Sequence, residues 1–335
     1  MLFVYSGARN VNSFGRFYQT SIEDWAQEQA NAVCLVGYSN ITTPEEVLAA
    51  TRAAATDGLF IPRGNLSARA SADIVLWSET AVFLAEPAPF LAQLADIARA
   101  SGAVIGLGYT MPLAHPEGEY SMLNMFALVL PDSAGGAGIN YQKLHPVLGV
   151  EDDVQPGSVT PPVVQSALGL IGVGICFDYD FPETIRLNSR GASLMLQPGW
   201  DWSTSGILHA RMGAMRAVEN GFTLLRCSSG GVSGVYTPYG TSAFETVLGT
   251  VEERNSSRST AAYTSYVPLL PRVAMLYSYI GPALGIFCTV VWFGMMLAAL
   301  LPLRIVNELL RMAGQGASKR GEQGAEPEDA RVTGV

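Results

Sequence analysis

Short apolar runs alternate with amphipathic helical patterns along residues 1–272. Three of the runs, 31–38 (NAVCLVGY), 73–77 (DIVLW) and 169–176 (GLIGVGIC), are apolar almost continuously rather than at every second position. Continuous apolar strands are typical of sheets that are covered on both faces, whereas half-exposed strands alternate. Residues 204–220 instead place apolar side chains at helical spacing. The pattern predicts an α/β fold in which helices cover buried sheets.

A longer apolar run, residues 273–303, contains 31 residues and no charge. A helix needs roughly 20 apolar residues to cross the hydrocarbon core of a bilayer, so the run predicts one C-terminal transmembrane helix. Gly281 and Pro282 mark an expected break near its start, and Arg272 and Arg304 bracket it as interfacial anchors do. A buried core helix is the alternative, but such helices seldom extend so far without a charge.

The residues after this run carry charges without apolar periodicity, which predicts a disordered tail. Four basic residues follow the run closely and three precede it, an excess that favours a cytoplasmic C-terminus. We therefore expect a membrane protein whose large domain lies outside the cytoplasm. The sequence predicts four parts. They are a lead segment at 1–30, interpreted as a remnant of a membrane region, the large domain at 31–268, the transmembrane helix at 273–303 and the tail at 304–335.

Composition excludes several classes of protein. Charged residues make up 15% of the 335 residues and hydrophobic residues 49%, which excludes a disordered chain. Four cysteines are too few for a small disulfide-stapled protein. The net charge of −9 argues against nucleic acid as a partner, because that partner requires clustered Lys and Arg. The spacing of His and Cys predicts no metal site, and no cofactor is expected.

Three residues that can support chemistry lie where predicted strands end. Lys143 is the single lysine before the tail in a chain with 18 Arg and two Lys, which suggests a role that requires an ammonium group. Glu79 comes directly after the strand DIVLW, and Cys176 ends the strand GLIGVGIC. Ligands bind at such strand ends in open α/β sheets. Each of these three residues alone also has an ordinary structural interpretation. The other strand cysteines, Cys34 and Cys227, are interpreted as core residues.

Together these segments resemble the carbon–nitrogen hydrolase (nitrilase) superfamily, and most closely its apolipoprotein N-acyltransferase branch. The sequences WSE at 77–79, Lys143 and GICFD at 174–178 resemble the Glu–Lys–Cys triad of the superfamily in the same chain order. Glu151 resembles the auxiliary glutamate of the branch, and residues 200–221 resemble its loop and helix after the cysteine. The resemblance implies a nitrilase-type α-β-β-α sandwich followed by one C-terminal transmembrane helix.

The resemblance also implies a role for each residue. Glu79 is the expected base that takes the proton of the Cys176 thiol, because a neutral thiol is a poor nucleophile. Lys143 and the backbone N–H of Phe177 are expected to stabilise the oxyanion that forms on attack. The expected supporting residues are Glu151, Phe177 and Asp178, and the expected substrate-binding residues are Trp200, Trp202 and His209. The alternatives are a solvated loop for Glu151, a structural hydrogen bond for His209, and exposed aromatic side chains next to a membrane for the two tryptophans.

The second acceptor decides the reaction, since a thioester acyl-enzyme can react with an amine or with water. The resemblance favours a membrane N-acyltransferase that moves an acyl group from a phospholipid donor to an amine or lipoprotein acceptor. A membrane-anchored amidase or nitrilase and an inactive binding module on the same fold are the alternatives. The sequence Cys176-Phe177-Asp178 departs from the Cys-Tyr-Glu that is usual in the branch, which leaves the donor and the acceptor open. The oligomeric state is not predicted.

Overall fold

The computed structural model describes residues 29–57, 60–63, 66–69, 71–133, 137–202, 205–247, 261–300, 304–305, 307–308 and 310–312. Residues 1–28 of the predicted lead segment and most of the predicted tail, including 313–335, lie outside these residues. The chain divides into two compact units, with the boundary between Tyr279 and Ile280.

A mixed sheet of seven strands forms one half of the larger unit. Its strands are β1 (Gln29–Val36), β4 (Ile74–Trp77), β5 (Val82–Phe83), β6 (Val104–Glu117), β7 (Tyr120–Val129), β8 (Ile139–Gln142) and β15 (Ala261–Pro268). The order is β15-β1-β4-β6-β7-β8, and β5 pairs with β6. β1, β4 and β6 run parallel to one another. β15 is antiparallel to β1, β7 to β6, and β8 to β7. A separate hairpin consists of β2 (Phe60–Arg63) and β3 (Leu66–Arg69).

A second mixed sheet of six strands forms the other half. Its strands are β9 (Val164–Ser166), β10 (Gly169–Val173), β11 (Leu194–Trp200), β12 (Thr223–Ser229), β13 (Val232–Tyr236) and β14 (Ser242–Val247), in the order β14-β13-β12-β11-β10-β9. The three central strands β10, β11 and β12 are parallel. Both sheets therefore place the carboxyl ends of parallel strands at one edge.

Helices cover the outer face of each sheet. These are α1 (Pro44–Arg52), α2 (Pro87–Ser101), α3 (Pro182–Asn188) and α4 (Ser205–Asn220). Side chains alternate along β1, so that Cys34 points into the core between the sheets and Val33 into the core under α1 and α2. A third core, which includes Met195 and Ala210, lies between the second sheet and α4. The predicted α-β-β-α sandwich is confirmed, and α4 corresponds to the helix predicted over 204–220, of which residue 204 lies outside the described residues.

A disulfide joins the two sheets through the central core. Cys34 on β1 and Cys227 on β12 are bonded, with their Cα atoms 5.6 Å apart and a sequence separation of 193. The interpretation of both residues as core is correct for their burial, but it missed the bond. Cys176 and Cys288 are free; Cys176 is buried and Cys288 is exposed.

The apolar run 273–303 differs from the predicted single span. It contains two helices, α5 (Leu276–Ile280) and α6 (Ala283–Leu300), which are interrupted at the expected Gly281-Pro282 break. With 18 residues, α6 is about 27 Å long, while the hydrocarbon core is about 30 Å thick. None of the helices in the described ranges has both the length and the apolar character needed to cross a bilayer. Residues 301–303 lie outside the described residues.

Candidate active site

Three strand ends place Glu79, Lys143 and Cys176 together between the sheets. Glu79 follows β4 and Lys143 follows β8 in the first sheet, while Cys176 begins a 3₁₀ turn after β10 in the second. All three side chains are buried. Gly108 on β6 leaves room for the main chain of Glu79, because a Cβ at position 108 would lie 2.8 Å from the Cα of Glu79.

Lys143 lies between two carboxylates. Its Nζ donates to Oε1 of Glu79 at 2.7 Å and to Oε2 of Glu151 at 2.6 Å. The amide of Asn124 on β7 donates to Glu79 at 2.8 Å and to Glu151 at 2.9 Å. The backbone N–H of Val147 also donates to Glu151, at 2.8 Å. We call Glu79, Asn124, Lys143 and Glu151 the lysine cluster; it contains one cation and two carboxyl groups.

Cys176 has a strained backbone that its neighbours hold in place. Its φ of 44° lies in the left-handed region, which residues with a side chain seldom adopt. Asp178, two residues later, is fully buried and accepts hydrogen bonds from the N–H of Ile175 at 2.9 Å and of His145 at 3.0 Å. Tyr141 donates to the same carboxylate at 2.8 Å. Asp178 therefore supports the turn that presents the thiol.

A second buried network lies behind the main chain of Cys176. Nε2 of His209 is 3.0 Å from the carbonyl oxygen of Cys176, and its Nδ1 is 2.7 Å from Oδ1 of Asp201. The other oxygen of Asp201 accepts from Arg226 and Ser228. We call Asp201, His209, Arg226 and Ser228 the arginine cluster. Oδ1 of Asp180 also lies 3.3 Å from Nε2, so both ring nitrogens of His209 face acceptor oxygens.

Burial and neighbouring charges determine the proton affinities around the thiol. Burial raises the pKa of Glu79; Glu151 adds to this effect and Lys143 opposes it. Burial and the charge of Glu79 raise the pKa of the Cys176 thiol well above its ordinary value. Burial alone would lower the pKa of Lys143, but the surrounding acidic groups raise it. The resting site therefore contains a neutral thiol, a charged lysine and a carboxyl group with increased proton affinity.

Of the aromatic residues predicted to bind substrate, Trp200 lies next to Cys176 and Trp202 lies next to Trp200. The thiol of Cys176 is 3.6 Å from the carbonyl oxygen of Trp200, and the ring of Trp200 is 6.0 Å from that of Trp202. Trp202 is 44% exposed, whereas the indole N–H of Trp200 is buried without a hydrogen-bond partner in the described part of the chain. Phe177 packs edge-on against Phe181. The structure thus brings Trp200 next to the thiol, and the roles of these residues in binding stay predictions.

Among the described residues, one group has donor atoms close enough together to ligate a metal ion. The donor atoms of Cys176, Asp201 and His209 lie within 4.8 Å of one another. The guanidinium of Arg226 already pairs with Asp201 and repels a cation there. The chemistry of this donor set therefore favours a hydrogen-bonded network over a metal centre.

Residues 31–267 match the family described as carbon–nitrogen hydrolase. The chain belongs to this family. The predicted membership of the carbon–nitrogen hydrolase (nitrilase) superfamily is thereby confirmed, and the chain is an enzyme of that superfamily with a buried Glu79–Lys143 pair.

Similar carbon–nitrogen hydrolase proteins have two kinds of activity. The chain is 27% identical over 186 residues to the chloroplastic omega-amidase of Arabidopsis thaliana, covering 51% of this chain and 49% of that protein. It is 36% identical over 103 residues to the apolipoprotein N-acyltransferase of Gloeobacter violaceus, covering 30% and 19%. For the apolipoprotein N-acyltransferase of Rhodopseudomonas palustris the identity is 28% over 205 residues, covering 52% and 38%. The chain thus spans half or less of the length of these relatives.

A solved structure has the same carbon–nitrogen hydrolase fold. It is a mutant amidase from Nesterenkonia sp. AN1 with the acetamide moiety of fluoroacetamide attached covalently at its active-site cysteine. The TM-score is 0.52 at 20% identity, over 71% of this chain and 90% of that chain. At this identity the likeness concerns the fold.

Proposed function

We propose that the protein is a thioester-forming N-acyltransferase that moves an acyl group from a phospholipid to an amine. The observation that carries the proposal is the buried contact of Glu79 with Lys143 beside the free thiol of Cys176. The similarity to apolipoprotein N-acyltransferases supplies the transferase part of the proposal.

In the first half-reaction, Glu79 takes the thiol proton while the sulfur of Cys176 attacks the ester carbonyl of the donor. Lys143 and the backbone N–H of Phe177 stabilise the oxyanion, each by a few kcal/mol. The ester bond then breaks, and the protonated Glu79 returns the proton to the departing alkoxide. The products are a thioester on Cys176 and a lysophospholipid.

In the second half-reaction, an amine attacks the thioester and Glu79 accepts the proton that the nitrogen loses. The amide forms as the carbon–sulfur bond breaks, and the proton passes to the sulfur, which restores the thiol. The raised pKa of Glu79, caused first by burial, suits a group that must both take and return a proton.

Membrane attachment is part of the proposal. Apart from Thr289, the exposed side chains of α6 are apolar, among them Phe287 and Met295, which are 64% and 68% exposed. Exposed apolar surface of this extent is typical of contact with lipid or with another protein. We propose that α6 contacts the bilayer and that the large unit lies outside the cytoplasm. The buried disulfide Cys34–Cys227 supports the second point, because disulfides persist in oxidising compartments.

A membrane-attached amidase is the second candidate. The similarity to an omega-amidase favours it, because water can resolve the same thioester. In that reaction Glu79 would activate water instead of an amine, and the donor would be a small amide.

The test uses the full chain in vesicles of phospholipid with a radiolabelled sn-1 acyl chain. We expect label on the wild-type protein that neutral hydroxylamine releases, and none on Cys176→Ala. Cys288→Ala is the matched control, since Cys288 is the other free cysteine among the described residues, and it should label normally. Adding a lipopeptide with a free amino group should move the label to the peptide. Absence of labelling, together with ammonia release from small amides, would establish the amidase instead.

A further inference from the structure

A cavity of about 430 Å³ lies on the larger unit, outside the Cys176 site. Arg186 on α3 and Arg190, two residues after its end, form one wall; Arg272, Ala274, Ser278 and Tyr279 form the other. None of the residues of the lysine cluster or the arginine cluster lines it. We call this cavity the arginine pocket; it brings together three guanidinium groups from two separate parts of the chain.

The arginine pocket has more positive charge than its carboxylates balance. Arg186 forms a salt bridge with Glu183 at 2.5 Å and donates to the carbonyl oxygen of Ser278 at 3.3 Å. Arg272 donates to the carbonyl oxygen of Asn220 at 3.3 Å. Within the described residues, neither Arg190 nor Arg272 has a carboxylate at salt-bridge distance. Glu183 also interacts electrostatically with Arg190, so this one carboxylate faces two of the three guanidinium groups.

Arg272 is also partly withdrawn from water. Burial lowers the pKa of its guanidinium, with Tyr279 opposing the shift. A charged group that loses hydration without a counter-ion destabilises the fold, and a bound anion would reduce that cost. Arg presents a planar fork of N–H donors that matches the oxygens of phosphate.

We propose that the arginine pocket binds a phosphate group, from a phospholipid headgroup or from free phosphate. Apolar side chains stand beside the pocket: Tyr279 is 73% exposed and Leu276 66% exposed. Arg side chains next to exposed aromatic and aliphatic groups are typical of surfaces that meet lipid headgroups. The proposal is independent of the reaction at Cys176.

The experiment is a calorimetric titration of the full chain in neutral detergent, with three probes. Dihexanoyl phosphatidylglycerol represents the headgroup source, sodium phosphate the free source, and dihexanoylglycerol is the phosphate-free control. Arg272→Gln and Arg190→Gln should each weaken phosphate binding about tenfold or more, because each removes a charged hydrogen-bond donor. Arg52→Gln, on the exposed side of α1, is the matched control and should bind like wild type.

The outcomes separate the two sources. Saturable binding of the lipid, without binding of dihexanoylglycerol or sodium phosphate, identifies a headgroup site. Equal binding of sodium phosphate identifies a site for free phosphate. If the wild type binds neither phosphate probe saturably, or if all three variants bind alike, the proposal is wrong. Circular dichroism of each variant shows whether a loss of binding reflects unfolding.

Discussion

The two buried clusters on either side of Cys176 differ in how they balance charge. In the lysine cluster, two carboxyl groups, Glu79 and Glu151, share one lysine. In the arginine cluster, one carboxylate, Asp201, accepts from a guanidinium, an imidazole and a hydroxyl. The first cluster therefore has an excess of carboxylate, and the second has an excess of donors.

The difference determines which cluster can exchange protons. Burial works against ionisation of Asp201, but Arg226 and His209 outweigh it and hold the pKa at about 2. Burial raises the pKa of Glu79, and Lys143 only partly offsets the effect. An Arg also keeps its charge under all ordinary conditions, whereas a Lys can be tuned. The lysine cluster is therefore suited to proton transfer, and the arginine cluster to fixing geometry.

The largest effect should come from removing the base. In Glu79→Gln, alkylation of Cys176 by iodoacetamide should slow about a thousandfold, within the range for a lost general base. A Cys288→Ala background leaves Cys176 as the one free thiol among the described residues. Glu86→Gln, an exposed change next to α2, should react at the wild-type rate. Equal rates for both variants would show that Glu79 does not activate the thiol.

Removing the carboxylate of the arginine cluster should affect stability more than proton transfer. Asp201→Asn leaves the buried guanidinium of Arg226 without its counter-ion and should lower the free energy of unfolding by about 3–5 kcal/mol. Urea unfolding followed by tryptophan fluorescence measures this change. Asp96→Asn, in a pair whose carboxylate is 73% exposed, should change it by less than about 1 kcal/mol. A small change for both would mean that Asp201 does not stabilise the interior.

The sequence predicts the lysine cluster better than the arginine cluster. Glu79 and Cys176 lie at the ends of strands that are visible as apolar runs, and parallel strand ends meet at one edge. Lys143 follows the largely polar strand β8 and stands out as the single lysine before the tail. The layered α/β fold follows from the same runs. Asn124 was missed because it lies inside β7 among apolar residues, where local pattern gives no sign of a polar contact.

Contacts between residues that are far apart in sequence cannot be predicted from the local pattern of apolar and polar residues. Asp201 and Arg226 meet because β11 and β12 lie side by side, and nothing in either segment specifies this partner. Cys34 and Cys227 likewise read as core residues, since an apolar strand cysteine is usually unpaired. The sequence predicts the break at Gly281-Pro282, but it does not predict that the helix after the break has 18 residues.

The third test compares the pH dependence of thiol alkylation in the wild type and in Glu151→Gln. Glu79 must be ionised to accept the proton, so the alkylation rate should fall as the pH drops through its raised pKa, above the usual 4.5. Glu151→Gln removes a like charge that contributes to the rise, so this acid limb should move to lower pH. An unchanged limb in Glu151→Gln would contradict the coupling of the two carboxyl groups.

The smallest effect is expected at His209, which acts on Cys176 through a main-chain carbonyl. His209→Ala removes a donor to that oxygen and should lower the alkylation rate about tenfold, the effect of one hydrogen bond of about 1.4 kcal/mol. His209→Gln retains an N–H donor and should recover most of the rate. Because Asp201 keeps its charge fixed and Glu79 is untouched, the acid limb should stay at the wild-type pH in both variants. A shift of that limb in His209→Ala would mean that the arginine cluster also takes part in proton transfer, and the distinction between the two clusters would fail.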